Sequence, residues 1–199
     1  MSILTLLLQR IYAISGRPAA QLAIAEAFAG RDAHVSAFPL FAQAARAGLS
    51  WAQYRLGRCY LLGLGVPPSA VEALRWLRRS AEAGEAAAQT QLGALALQGV
   101  SDRQELGLFG DLRLTPDFGR AEYWCRQAVV AGSAEAKALL GFILTDGPME
   151  RRDVAAGERL YREAAQSGWS RGQLGLAMAL LRNGTPADAV CAAWSGRPG

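Results

Sequence analysis

Four glycines, Gly48, Gly84, Gly132 and Gly168, stand 36, 48 and 36 residues apart, and the same residue sizes recur around each of them. Four residues after the glycine come Ala52, Ala88, Ala136 and Gly172, eight after come Leu56, Leu92, Leu140 and Leu176, and nine after come Gly57, Gly93, Gly141 and Ala177. Fifteen after stand Gly63, Gly99, Gly147 and Asn183, types that tolerate the left-handed backbone in which helices commonly end. These offsets define one helix, A. Eleven residues before the glycine come Ala37, Ala73, Ala121 and Gly157, eight before come Leu40, Trp76, Trp124 and Leu160, and four before come Ala44, Ser80, Ala128 and Ala164, which define a second helix, B. Steps of three and four with small residues facing large ones let two helices approach closely. A helix pair repeated at this period predicts an all-α, right-handed α-solenoid rather than a single globular core.

Composition agrees. The chain has 199 residues with 51% hydrophobic content, rich in alanine and leucine and without the alternating β-branched runs of strands. The repeats are expected over roughly residues 16 to 184 of a single domain spanning residues 1 to 199, with a cap helix at 3–15 and a capping helix and tail at 185–199. The net charge of +4 comes mostly from dispersed arginines, whereas nucleic-acid binders concentrate charge in a patch or arm, so no nucleic-acid partner is expected. Met1 to Leu8 lack the charged start and cleavage site of a secretory signal, and no apolar run is long enough to span a membrane. Cys59, Cys125 and Cys191 are odd in number and lack disulfide or metal spacing. A reducing, cytoplasmic location follows, with each cysteine a small buried hydrophobe.

The segments WLRRSAEAG (Trp76 to Gly84), AQTQLG (Ala88 to Gly93) and YLLGLGV (Tyr60 to Val66) resemble the Sel-one-like repeat, a relative of the tetratricopeptide repeat. In two places the pattern departs: Lys137 stands where Gln53, Gln89 and Gln173 stand elsewhere, and PMERRD follows Gly147 in place of a glycine-valine turn. The resemblance implies an adaptor that binds other proteins. It also implies that positions three, six, seven, ten, thirteen and fourteen after each glycine face a concave groove. The candidate partner-binding residues on those positions are Trp51, Tyr54, Arg55, Arg58, Leu61, Gln91, Phe142, Arg171 and Arg182. Tryptophan, tyrosine and arginine bury large area with few rotors and keep a polar tip, which is why they dominate interface hot spots. With Arg55 and Arg58 flanked by Trp51 and Tyr54, the natural complement is a protein or peptide carrying an acidic side chain or a C-terminal carboxylate. A docking or regulatory subunit of an enzyme complex is the alternative role.

Residues 100–117 contain twelve residues more than the equivalent turns elsewhere. Insertions of this kind map to loops on one edge of a solenoid, and Leu108 and Phe109 make this one a second candidate surface. Asp102, Glu105, Asp111 and Asp117 lack the spacing of a calcium loop and read as solvated charges. The amino-terminal segment is apolar around most of its circumference, so Leu4, Leu7 and Ile11 are expected to bury against a second copy of the chain or a partner subunit, a two-fold dimer being the simplest arrangement. No enzyme is read here, and no cofactor or metal. The one histidine, His34, has no nucleophile at a recognisable spacing, and no phosphate-binding glycine loop is present.

Overall fold

The computed structural model describes residues 17–100, 116–182 and 184. Leu4, Leu7, Ile11, Leu108, Phe109, Cys191 and Asn183 lie outside them. Among the described residues the structure is helical throughout, apart from turns and loops. The helices are α1 (Pro18–Ala29), α2 (His34–Arg46), α3 (Ser50–Leu62), α4 (Ala70–Glu82), α5 (Ala86–Leu97), α6 (Phe118–Val130), α7 (Ala134–Asp146), α8 (Val154–Gln166) and α9 (Ser170–Arg182). Odd-numbered helices are the A helices and even-numbered ones the B helices of the repeat. The described residues fall into two compact units, 17–92 and 93–184, with the boundary inside α5.

Each B-to-A turn is built identically. Gly48, Gly84, Gly132 and Gly168 have φ of 92°, 88°, 89° and 80°. Their amides donate to Ala45, Ala81, Val129 and Ala165, while the next residues, Leu49, Glu85, Ser133 and Trp169, donate to Ala44, Ser80, Ala128 and Ala164. This pair of bonds satisfies the orphan carbonyls at a helix end and requires left-handed backbone at the glycine. Space is not the constraint, because a Cβ at any of the four would meet nothing within 4 Å. Gly63 and Gly99 also end helices in the left-handed region, as expected, but Gly147 does not: its φ is −68°. Pro148 follows it, so the chain leaves α7 extended into a short 3-10 turn, Met149–Arg151, and Arg152 Nε donates to the Gly147 carbonyl at 2.7 Å. Gly147 is small instead because a Cβ there would collide with the Ile143 carbonyl.

The A-to-B connection is held at its ends, independently of its length. Ser69, Asp117 and Asp153 start the B helices, and their amides donate to the carbonyls of Tyr60, Ala96 and Leu144, each twelve residues after its repeat glycine. Their side chains accept from Glu72, Arg120 and Ala156, the usual capping bond of a helix start. Asp117 is therefore a helix cap and not the solvated charge expected from the sequence. At the other end Leu64 and Val100 donate to Cys59 and Leu95. A longer chain between fixed ends adds only a slowly growing closure cost, which is why residues 100–117 are tolerated.

Packing between A and B helices follows a size exchange. A Cβ on Gly57 would stand 2.8 Å from Leu77 Cγ, on Gly93 2.6 Å from Cys125 Sγ, and on Gly141 3.0 Å from the Tyr161 ring. Leu77, Cys125 and Tyr161 all sit seven residues before their glycine, so one position on each B helix presses into the same notch on the A helix. Tyr161 is the largest, and a second notch at Gly175 also lies against its ring. Around the seam Ala44, Ala52, Ala73, Ala88, Ala121, Ala128, Ala136 and Ala164 are all fully buried. Ser80 occupies one of these alanine positions and satisfies its hydroxyl by donating to the Ser50 carbonyl at 2.7 Å. Cys59 and Cys125 are free, buried thiols, and burial pushes Cys125 up to about 12.

Candidate protein interface

In the first unit, the A-helix positions of α1 and α3 converge on one carboxylate. The Trp51 indole N–H donates to Glu26 Oε1 at 2.8 Å, and Arg55 Nη2 pairs with Glu26 Oε2 at 3.1 Å. Arg55 also lies over the buried Phe41 ring, 5.1 Å from its centroid. The Trp51 and Tyr54 rings are 5.1 Å apart, and the Arg58 guanidinium sits 6.0 Å from the Tyr54 centroid. Arg58 makes no ion pair among the described residues, whereas Arg55 is paired with Glu26. Burial pushes the neighbouring Cys59 thiol up, against the downward pull of Arg55 and Arg58.

The structure thus sorts the residues singled out from the sequence. Trp51 is 39% exposed. Tyr54 is buried, with its ring tilted against the indole. Arg58, Leu61 and Gln91 are half-buried, and Arg55 is already engaged by Glu26. Position six after the glycine, expected on the groove, is packed in three repeats: Tyr54, Thr90 and Ala138 are buried. Thr90 satisfies its hydroxyl on the Ala86 carbonyl. Glu26 was not singled out, although it lies ten residues after Gly16, the offset at which Arg58 follows Gly48. Extending the groove positions to the terminal A helix would have found it.

In the second unit the corresponding face is apolar. Phe142 on α7 and Leu174, Met178 and Leu181 on α9 are 42%, 59%, 48% and 49% exposed. Among its charges, Arg182 Nη1 meets Asp146 Oδ1 at 2.6 Å, the Thr145 hydroxyl donates to Asp146 Oδ2 at 2.7 Å, and Arg171 is exposed. Burial would raise the Asp146 carboxyl, but the bonds from Thr145 and Arg182 outweigh it and hold it below the usual range. Lys137 does not reproduce the glutamine bond of the other repeats. Gln53 and Gln89 donate to the Ala45 and Ala81 carbonyls, whereas Lys137 Nζ pairs with Glu163 at 2.8 Å. On the B-helix side Arg126 and Arg151 meet Glu122 at 2.6 and 2.5 Å, and Arg75 meets Glu72 at 3.5 Å. His34 opens α2, partly exposed, with Nε2 3.7 Å from Asp32 Oδ1. No group of three or more His, Cys, Asp or Glu side chains is arranged to hold a metal among the described residues, and none of their helices is long and apolar enough to cross a membrane.

The model of the Sel1 repeat matches residues 52–85, 86–132 and 134–169. The chain belongs to the Sel1-repeat family. The helix pair α1–α2, closed by the Gly48 turn, extends the same construction ahead of the matched residues. A Sel1 repeat protein from Oxalobacter formigenes is similar in structure, with a TM-score of 0.73 and 26% identity over 90% of this chain and 68% of that one. A protective antigen of uropathogenic Escherichia coli with an SLR fold also has a TM-score of 0.73, at 29% identity, over 88% of this chain. This chain spans only 36% of that antigen. No curated protein sequence matches at a significant level. The fold is an α-solenoid of Sel1-type helix pairs, a construction that generally mediates protein–protein interaction.

Proposed function

We propose that this chain is a non-enzymatic adaptor that holds a peptide or helix of another protein on the A-helix face of its first unit. The observation that carries this reading is the cluster of Trp51, Tyr54, Arg55 and Arg58. Two aromatic rings and two guanidinium groups lie on successive turns of α3, with the indole N–H donating to Glu26. Holding a large side chain in one rotamer before binding removes an ordering cost of about 0.5–1.5 kcal/mol that a mobile side chain would pay on contact. Family membership supports the general role, since Sel1 repeats serve as interaction scaffolds.

The test is recovery of a stoichiometric partner from the native cell with the whole chain as bait, repeated with Trp51→Ala. The reading requires that a partner be retained by the wild type and lost with the variant, while thermal melting of the two proteins stays alike. A partner held equally by both would place the interface elsewhere.

A further inference from the structure

The cluster on α1 and α3 contains its own anion. An indole N–H and a guanidinium aimed at one carboxylate make a seat of the kind that recognises an acidic side chain, since charge-assisted hydrogen bonds are the strong ones. Glu26 fills that seat, at 2.8 Å from Trp51 Nε1 and 3.1 Å from Arg55 Nη2. Its own charge then faces any second acid brought to the same place. One turn along α3, Arg58 lies on the Tyr54 ring with no carboxylate beside it among the described residues. Beside it the exposed part of Trp51 and the 54% exposed Leu62 present apolar surface.

We infer that the face selects a partner segment with a single internal aspartate or glutamate next to an apolar side chain. The acid is received by Arg58, and Glu26 acts as a specificity-determining residue that keeps Arg55 closed to a second one. This rests on the interface assigned above and narrows its ligand. A side-chain carboxylate fits better than a chain terminus, because Arg58 offers one guanidinium against an aromatic wall, whereas terminal carboxylates are captured by several converging donors. Glu26 also holds the indole in place, so the residue that restricts charge is the one that positions the apolar contact.

The experiment is a selection of twelve-residue peptides displayed internally on phage against the whole chain. Enriched sequences are then synthesised with amidated C-termini and titrated by fluorescence anisotropy. The peptides should carry one acid flanked by an apolar residue. Arg58→Gln should weaken them about tenfold, as expected for loss of a charged hot-spot contact. Glu26→Gln should tighten binding about threefold or more, because glutamine still accepts from the indole while the repelling charge is gone. Arg46→Gln, on an exposed B-helix position, is the charge control and should change binding less than about twofold. Circular dichroism melting of each variant reports whether it is folded.

Peptides that need Trp51 but are indifferent to Arg58→Gln, or that weaken with Glu26→Gln, would overturn the inference and leave the interface standing. So would binding that requires a free C-terminus. Selected peptides whose binding survives Trp51→Ala, or a selection that enriches none, would overturn the interface itself and the inference with it.

Discussion

The same helical offsets carry opposite surfaces in the two units. Seven and ten residues after the repeat glycine, the first unit presents Arg55 and Arg58, on a helix that also carries Trp51 and Tyr54, and ten after its glycine the second unit presents Phe142. On α9, Leu174 and Met178 take the positions six and ten after Gly168. The scaffold beneath is common to both: identical glycine turns, alanine seams, and one B-helix side chain pressed into a glycine notch. A repeat therefore separates the residues that hold it up from those on its exposed A-helix face, and each set can change without the other. The comparison also shows two ways of managing charge on such a face. Glu26 pairs with Arg55 and, among the described residues, no carboxylate pairs with Arg58, whereas Asp146 pairs with Arg182 beside exposed apolar side chains.

The largest effects should come from breaking the common scaffold. Gly57→Leu and Gly141→Leu each force a branched side chain against a packed neighbour, Leu77 in one case and the rigid Tyr161 ring in the other. Overpacking of this kind costs about 1–3 kcal/mol, and the Tyr161 notch should sit at the upper end because a ring bends away less readily than a leucine. Thermal or urea unfolding checks this. Equal melting of both variants and the wild type would mean that the notches are not packed as described.

Next in size is the surface difference itself. Trp51→Ala should cost about 2 kcal/mol in partner affinity, the scale of a hot spot. Phe142→Ala, at a corresponding offset in the other unit, should cost less than about 1 kcal/mol, as most interface residues do. Calorimetric titration of the wild type and both variants against the same ligand measures the asymmetry. The reverse order would transfer the interface to the apolar face.

The sequence made most of the scaffold legible, because glycine turns and small-residue seams are local requirements that leave a fixed spacing. Ala44 and Ala164, or Gly57 and Gly141, announce their roles by position alone. The site was less legible, because its contents depend on which side chains meet across helices. Nothing near Arg55 in the chain reveals that Glu26, 29 residues earlier, occupies its guanidinium. Tyr54 sat on a groove offset yet is packed, since burial depends on the neighbouring helix and not on periodicity. Gly147 kept its place in the pattern but lost its left-handed backbone to the proline that follows. Asp117 has the same sequence character as the other acids near it, and only its bond from the Arg120 amide distinguishes it as the cap of α6.

A smaller effect sharpens the charge comparison. Asp146 and Glu122, both in the second unit, are held below their usual range. In each case burial would raise the carboxyl, but hydrogen bonds outweigh it, from Thr145 and Arg182 for one and from Arg126 and Arg151 for the other. A lowered carboxyl stabilises the folded chain above its unfolded value, and that contribution is lost as the pH falls through the lowered one. Stability should therefore decline on acidification below about pH 4, where ordinary carboxylates titrate. The variants Asp146→Asn and Glu122→Gln should flatten the decline at a cost below about 1 kcal/mol each at neutral pH, as for other partly exposed pairs. Melting curves across that pH range decide it, and a wild-type decline matched by both variants would show that neither pair contributes. Smallest of all, the buried Cys125 thiol, raised to about 12, should stay unmodified by a thiol reagent in the folded chain and react only on unfolding. Modification at native rates would show that its seam opens.

The most direct measurement is the indole N–H resonance of Trp51, assigned by substitution and followed by nuclear magnetic resonance as a partner peptide is added. Bonded to Glu26 at the centre of the first unit's face, this proton reports any ligand that lands there. If the first unit holds the partner, it shifts and saturates with the dissociation constant measured for the whole interaction. A saturating titration that leaves it unmoved while the amides of α7 and α9 shift would put the partner on the second unit instead.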